Sequence, residues 1–396
     1  NQDMIYLHEN GVTVIAKEEA KRGKVYEFNG EEYYIAKGVS DIKRIIDSGE
    51  YPLNRVVTSK LKNLNYLFQI PGGYQDAVPE GFNDDITNWD TSNVLSMEEV
   101  FSGWPTFNQD ISNWDTSKVE SMHGMFKSSK YVGNYYMGPT SFNQDISKWN
   151  VSNVKNMSEM FLGATSFNQN LNGWDVGNVE NMDYMFSGAT SFNQDLSNWD
   201  VSNVSSMKGM FSDVVAIGNA GNYDTHDFEY TRAGSTSFNQ PIGNWDVSNV
   251  KDMSHMFSGA TSFNQDIGNW DVSNVNDMSY MFSGGIIDSN QCPYGQYFLK
   301  SHRYGGGDNN PTSFNQDISN WDVSNVDIMT GMFSSATSFN QPIENWNVSK
   351  VRSMAYMFSG AKSFNQPLGN WDVRNLWVME SMFSDAISFN QPIGNW

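Results

Sequence analysis

Tryptophan recurs along this chain at an interval of 25 residues, and that interval constrains the fold more than any other feature of the sequence. Eleven of the 13 tryptophans lie in one register, at positions 89, 114, 149, 174, 199, 245, 270, 321, 346, 371 and 396. A unit of 25 residues is too short to bury its own apolar side chains, so neighbouring units must stack to form a shared core. The sequence therefore predicts one repeat solenoid rather than several ordinary domains.

Each unit has two halves with different apolar spacing. In the half from Val154 to Ala164, apolar residues recur at intervals of three, three, one and three, which predicts a short helix with one buried face. In the half from Phe142 to Trp149 the intervals are four and three, which predicts a short strand. The expected fold class is an α/β repeat solenoid with one short strand and one short helix in each coil.

The recurring polar residues are assigned structural roles. An asparagine such as Asn143 follows a phenylalanine in every unit, and we expect its amide to bond the backbone of its own and neighbouring coils. The residue that follows the repeat tryptophan is Asp, or Asn at Asn150 and Asn347, which keeps a side-chain oxygen for turn formation. A calcium ladder along these aspartates is a less favoured alternative. The methionines fall in register with Phe and Ala and are predicted to fill the core.

Residues 1–56 lack the repeat and are predicted to form an α+β capping module before the repeats of residues 57–396. Two β-rich runs flank Asn29-Gly30, a strong signal for a two-residue hairpin. A helix is predicted from Asp41 to about Ser48, with Ser40 and Gly49 as its caps. The sequence stops in mid-unit, and since an uncapped end exposes core, we expect further sequence in the full-length product.

Composition excludes several classes of partner. The chain has 24 Lys plus Arg against 45 Asp plus Glu, a net charge of −21, so its field repels phosphate backbones and disfavours nucleic acid. No run of roughly 18 apolar residues is present, which argues against a membrane-spanning segment. The single Cys292 has no partner for an internal disulfide. Stability is therefore expected to come from packing.

The string from Ser262 to Phe282, SFNQDIGNWDVSNVNDMSYMF, resembles the repeat of BspA-like bacterial surface proteins, an atypical leucine-rich-repeat family. The stretch from Ile5 to Thr13, followed by the Asn29-Gly30 hairpin, is similar to the leader module that precedes such repeats in exported proteins. The resemblance implies a secreted or cell-surface protein of a bacterium, often an adhesin. It implies no catalytic residues and no cofactor, and it is far more specific for the fold than for a ligand.

Four insertions interrupt the period at the same corner of the unit, near residues 69–81, 127–139, 213–235 and 284–311. Because stacked coils stay in register, all four are expected to leave one edge of the solenoid, and such insertions commonly form the binding face. The three longer insertions hold 8 of the 18 tyrosines, and tyrosine is enriched in contact surfaces. The predicted binding residues are Tyr131, Tyr135, Tyr136, Tyr223, Phe228, Tyr230, Tyr294, Tyr297 and Tyr304.

Catalytic and metal-binding arrangements are not evident in the sequence. His226 lies near Asp224, Asp227 and Glu229, but their spacing matches no metal motif, and a solvated loop is the favoured interpretation. His123 and His255 are predicted to face solvent beside the methionine pairs. We therefore expect a non-enzymatic, adhesin-like protein that binds a glycan or a protein. The alternatives are a passive spacer that presents a further domain and, less favoured, a polysaccharide-active enzyme.

Overall fold

The computed structural model describes residues 3–70, 77–128, 140–219, 228–232, 235–284 and 311–396. These residues form a repeat protein with short strands and few helices. One hydrophobic cluster extends from Tyr34 to Met382, and the repeat tryptophans from Trp89 to Trp371 are each at most 4% exposed. The repeat methionines, such as Met157 and Met160, are fully buried. The predicted roles of the tryptophans and methionines in the core are confirmed.

Short strands dominate the N-terminal region. Strands β1 (Ile5–Leu7) and β2 (Val14–Ala16) pair antiparallel, as do β3 (Val25–Phe28) and β4 (Glu31–Ile35). The predicted hairpin is confirmed: Asn29 and Gly30 both have positive φ, 52° and 77°, as a type I′ turn requires. A 3-10 turn at Leu53–Arg55 leads into β5 (Val56–Val57), which pairs parallel with β4.

Helix α1 (Val39–Ser48) packs against the first repeat. The predicted helix and its C-cap Gly49 are confirmed, but the N-cap is Gly38 rather than Ser40. Ile42, Ile45 and Ile46 are buried in the main core, and the Lys43 ammonium donates to the Gln69 carbonyl at 2.8 Å. None of the helices in the described part of the chain has the length and apolarity to cross a bilayer.

The insertion at 213–235 contains the two remaining strands, β6 (Val214–Asn219) and β7 (Phe228–Arg232), which pair antiparallel. Their register places Ile217 opposite Tyr230 and Asn219 opposite Phe228, with an irregularity near Val214. This insertion therefore carries its own backbone pairing, separate from that of the repeats.

The segment Val154–Ala164 and its equivalents, here called the ladder segments, are not helical, so the prediction of one helix per coil is wrong for the described residues. Every second N–H group instead donates to a carbonyl of the next repeat at 2.7–3.0 Å: Met157 to Asn181, Glu159 to Asp183, Phe161 to Met185 and Gly163 to Ser187. The intervening N–H groups close turns within their own repeat, as Met160 does onto Met157. Isolated parallel bridges link successive repeats from Asn63 to Val378.

Helix and ladder share the same apolar spacing, which explains the error. In a helix, each N–H donates to the carbonyl four residues earlier in the same segment. Here every second N–H donates instead to a carbonyl of the next repeat. A positive φ at Glu159, 56°, also interrupts any helical run. The apolar residues still face the core, so the predicted buried face is present in a different backbone.

The segment Phe167–Trp174 and its equivalents, here called the Asn segments, do not form the predicted strand among the described residues. Side chains connect them instead: the Asn168 N–H donates to Asn143 Oδ1 at 3.0 Å, and Gln169 Nε2 donates to the Asn143 carbonyl at 3.0 Å. The Trp174 indole N–H donates to the Ile146 carbonyl at 3.0 Å. The predicted asparagine bonding is confirmed toward the neighbouring repeat. It also explains why four units tolerate proline after Asn-Gln, since no backbone ladder uses that N–H.

Aromatic rings form three columns through the core. Phe161 stacks on Phe167 in its own repeat at 4.1 Å and on Phe186 of the next repeat at 5.5 Å. The tryptophan rings stack in parallel, as Trp245 and Trp270 do at 6.5 Å. Each repeat therefore contributes a complete layer of rings that only the neighbouring repeats can cover.

A tryptophan truncation tests this packing. Trp199 is 3% exposed, stacks on Trp245 and donates to the Leu171 carbonyl at 2.8 Å. We expect Trp199→Ala to lower the free energy of unfolding by about 3–5 kcal/mol, measured by denaturant titration. Trp377→Ala is the matched control, because that ring is 79% exposed and should change stability by less than about 1 kcal/mol. An equal loss of unfolding free energy in the two variants would contradict the burial of Trp199 in the tryptophan column.

The asparagine ladder has its own test. Asn168 Oδ1 accepts from the Asn193 N–H and from Gln194 Nε2, both at 3.0 Å. We expect Asn168→Ala to lower the free energy of unfolding by about 1–3 kcal/mol, since each net hydrogen bond contributes about 0.5–1.5 kcal/mol. Asn168→Asp keeps the accepting oxygen and should lose less. If thermal denaturation gives the same loss of stability for both variants, Asn168 Oδ1 does not stabilise the contact between these repeats.

Candidate functional site

One position in each ladder segment has left-handed backbone geometry, and we call these positions the left-handed column. It lies two residues before the phenylalanine after which the insertions begin. Its φ angles are 48–60°, at Tyr66, Glu99, Gly124, Glu159, Tyr184, Gly209, His255, Tyr280, Gly331, Tyr356 and Ser381. Side chains of varied chemistry are thus held at one edge by a backbone that does not vary.

The glycines of this column make room for neighbouring rings. A Cβ atom on Gly209 would lie 2.3 Å from the Tyr184 ring, and one on Gly331 would lie 2.2 Å from the Tyr280 ring. The His255 ring stacks on Tyr280 at 4.9 Å and 20°, so the prediction that His255 simply faces solvent is wrong. Rings therefore cover the backbone along part of this edge.

Four side chains converge where the insertion at 127–139 begins, and we call them the Glu–His–Lys cluster: Glu99, His123, Lys127 and Glu159. The Lys127 ammonium is 2.8 Å from Glu99 Oε1 and 2.9 Å from Glu159 Oε2. His123 Nε2 lies 3.8 Å from the same Glu99 oxygen and 3.5 Å from the same Glu159 oxygen. Three consecutive repeats supply the cluster, so its geometry depends on their register.

The electrostatics of the cluster follow from burial and charge. Burial by itself would lower the pKa of the Lys127 ammonium, but the carboxylates of Glu159 and Glu99 outweigh that effect and raise the pKa. Gln69 Nε2 donates to the second oxygen of Glu99 at 2.9 Å. Burial raises the pKa of the nearby Tyr66 hydroxyl, and the charges of Glu99 and Glu98 add to that rise. Lys127 is thus a buried cation held between two carboxylates.

Sequence spacing did not reveal this cluster, and the prediction that His123 faces solvent is wrong. The side chain of His123 is 26% exposed and its Nδ1 lies 2.7 Å from Ser158 Oγ. The spacings between Glu99, His123 and Glu159 match no local metal or acid–base motif because the residues belong to different repeats. Aligning the repeats would have found the signal, since Glu99 and Glu159 share the left-handed column and Lys127 replaces a recurrent small residue.

A second group of carboxylates, half-buried, lies farther along the ladder. Burial raises the pKa of Asp183, although the Ser206 hydroxyl and the Lys208 N–H donate to its Oδ1. Burial likewise raises the pKa of Asp277. Asp200, which follows Trp199, behaves oppositely: the Ser202 side chain and N–H lower its pKa. The aspartates that follow the repeat tryptophans form the turns predicted for them.

The predicted binding residues are only partly located. Phe228 and Tyr230 lie on β7, the returning strand of the third insertion. The other predicted binding residues lie outside the described residues: Tyr131, Tyr135, Tyr136, Tyr223, Tyr294, Tyr297 and Tyr304. His226, Asp224 and Asp227 also lie outside them, and Glu229 is on β7. The structure describes the base of each insertion, which lies at the same corner of the repeat.

Comparison with known proteins identifies a family. The profile described as "Mycoplasma protein of unknown function, DUF285" matches residues 44–135, 131–223, 221–286 and 308–396. These matches cover most of the chain, and the chain belongs to this repeat family. Neither a curated protein nor a solved structure matches this chain. The family description gives no activity, so the function must be argued from the molecule.

The half-buried Asp183 predicts an unusual pH dependence. Because the folded-state pKa of Asp183 is raised above its ordinary value of 3.8, its ionisation costs stability at neutral pH. We expect Asp183→Asn, which keeps the accepting oxygen, to raise the free energy of unfolding at pH 7. The gain should shrink as pH falls through the raised pKa and vanish below about pH 4. Urea titrations at several pH values measure this difference.

Asp200→Asn is the matched control. The folded-state pKa of Asp200 is lowered, so its carboxylate contributes stability above the ordinary pKa that is lost as pH falls through the folded value. This substitution should therefore bring no gain at pH 7. A gain at Asp200 equal to that at Asp183 would refute the burial argument.

Proposed function

We propose that this chain is an exported bacterial surface protein, adhesin-like in its action, that binds a glycan or another protein through the aromatic insertions on one edge of its repeats. The proposal includes a leucine-rich-repeat-like solenoid of the BspA-like kind as the scaffold. It assigns no catalytic role to the chain. Secretion and surface location rest on the sequence resemblance alone.

The observation that carries the proposal is the continuity of the core across the insertions. Phe211 and Phe257 flank the insertion at 213–235, yet their rings are 5.8 Å apart, the same as Phe186 and Phe211 in uninterrupted repeats. Phe282 and Phe333 flank the longest insertion and are 5.7 Å apart, the same as Phe257 and Phe282. The core is complete without the inserted residues, which favours a role for them outside the scaffold.

The placement of the insertions supports one shared surface. Each begins directly after a phenylalanine of the same column, at Phe68, Phe126, Phe211 and Phe282. The three longer insertions belong to the third, sixth and eighth repeats. At about 4.8 Å for each paired repeat, neighbouring bases lie roughly 10–15 Å apart and the outer two roughly 24 Å apart. A partner of ordinary size could contact all three, and aromatic residues suit such contacts.

The main alternative is a passive spacer that holds a further domain away from the cell. A continuous core suits that role equally well, and the insertions would then be incidental. A polysaccharide-active enzyme is the less favoured alternative, since it needs carboxylates that converge on a groove. The Glu–His–Lys cluster is the nearest arrangement among the described residues, and there Lys127 lies between the two carboxylates.

Deletion of the insertions distinguishes the proposed binding role from the spacer role. In uninterrupted repeats five residues, Ser-Gly-Ala-Thr-Ser at 258–262, connect the two phenylalanines. We expect replacement of residues 127–141, 212–237 and 283–313 by this linker, singly and together, to leave a folded repeat stack and to abolish attachment. Glycan arrays and binding to surfaces coated with candidate proteins are the measurements.

In the matched control the same linker replaces residues 162–166 of an uninterrupted repeat, which changes only Leu162→Ser. This variant should bind as the wild type does. Full binding by the triple deletion would rule out the insertion surface and leave the spacer as the better account. Depolymerisation of a glycan by the wild type would contradict the non-enzymatic assignment.

A further inference from the structure

The imidazole of His123 has a fixed tautomer, and hydrogen bonds outside the cluster fix it. The Ser158 N–H donates to Asn156 Oδ1 at 2.9 Å, so that atom is the amide oxygen, and the Ser158 hydroxyl donates to the same oxygen at 2.6 Å. The hydroxyl has one proton, already used, so toward His123 Nδ1 at 2.7 Å it can only accept. Nδ1 therefore carries a proton.

The Ser158 contact at Nδ1 orients the ring so that Nε2 faces the interior of the cluster. Its nearest charged neighbours are two carboxylate oxygens, Glu159 Oε2 at 3.5 Å and Glu99 Oε1 at 3.8 Å. Among the described residues no side chain donates a hydrogen bond to Nε2. A lone pair that faces two anions is unfavourable unless a proton or a metal cation lies between them.

Lys127 does not supply that cation. Its ammonium donates to both carboxylates, but no hydrogen bond joins it to His123 in the described structure. It uses one lone pair on each oxygen and fixes the positions of both carboxylates. The cluster thus holds three inward-facing ligand atoms, His123 Nε2, Glu99 Oε1 and Glu159 Oε2.

We propose that Glu99, His123 and Glu159 form a binding site for a divalent transition-metal ion of the zinc class. The ligand atoms lie within 4.8 Å of one another. Two ligands about 2.0–2.1 Å from a tetrahedral zinc ion are roughly 3.3 Å apart, so the 3.5 Å between Nε2 and Glu159 Oε2 needs little adjustment. Three protein ligands leave a fourth position for water or for a group on a partner.

The surroundings match those of metal-bound histidines. Such a histidine donates its other N–H to an acceptor that fixes the ring, as Nδ1 of His123 does to Ser158. An imidazole with two carboxylates favours zinc, cobalt or manganese over magnesium and calcium, which prefer oxygen ligands alone. Lys127 reduces the affinity by repulsion, which makes the site one of modest strength. Because the ligands come from three successive repeats, the ion would join them at the base of the insertion at 127–139.

The test is a metal titration of the chelator-treated full chain at pH 7.5. Zinc binding is followed by calorimetry and cobalt binding by its visible absorption. We expect one equivalent bound at this site, at least tenfold weaker binding in His123→Ala and Glu159→Gln, and about 10–100-fold weaker binding in Ser158→Ala. His226→Ala is the matched control and should leave this binding unchanged. Circular dichroism establishes that each variant is folded.

The opposite outcomes overturn the site. The wild type binding neither ion, with the Nε2 lone pair neutralised by a proton instead, would contradict it. Binding that survives in folded His123→Ala and is lost in His226→Ala would assign the metal to the other histidine. If His123→Ala fails to fold, Glu159→Gln decides, because the glutamine keeps an oxygen for Lys127 but loses the anionic ligand.

Discussion

Hydrogen bonding between successive repeats is the constraint on which the rest of this structure depends. In the ladder segments every second N–H group leaves its own repeat and reaches a carbonyl of the next, as Met157 does to Asn181. On the other side of each repeat, the asparagine side chain and the tryptophan indole make the equivalent connections. Among the described residues no repeat satisfies its backbone alone, so each is ordered by its neighbours.

That dependence explains how one edge can vary while the core does not. The ladder fixes the left-handed column at similar φ angles, whatever the side chain, so glutamate, histidine and tyrosine occupy equivalent places. Insertions can leave next to this column because the phenylalanine columns continue beneath them at unchanged spacing. A constant core with a variable edge is the arrangement that the proposed binding role requires, and it also places the Glu–His–Lys cluster at the base of an insertion.

The sequence predicts the core of this protein better than its backbone. The tryptophan, methionine and asparagine registers follow from periodicity, and the structure buries or bonds these residues as expected. The prediction of a helix in Val154–Ala164 was wrong because a ladder whose hydrogen bonds alternate between two repeats has the same apolar spacing as a helical turn. The Glu–His–Lys cluster could not be found from local spacing, since repeat stacking alone brings Glu99, His123 and Glu159 together.

Amide hydrogen exchange of the native chain tests the central claim most directly. If successive repeats are ordered by one another through an unbroken ladder, the N–H groups of Phe186, Phe211, Phe257 and Phe282 should exchange with similar, slow rates, since each donates to the next repeat at 2.9 Å. The prediction is equal protection on both sides of the insertions at 213–235 and 284–311. A sharp loss of protection at Phe211 or Phe282 would contradict it, because the insertions would then divide the chain into blocks that open independently.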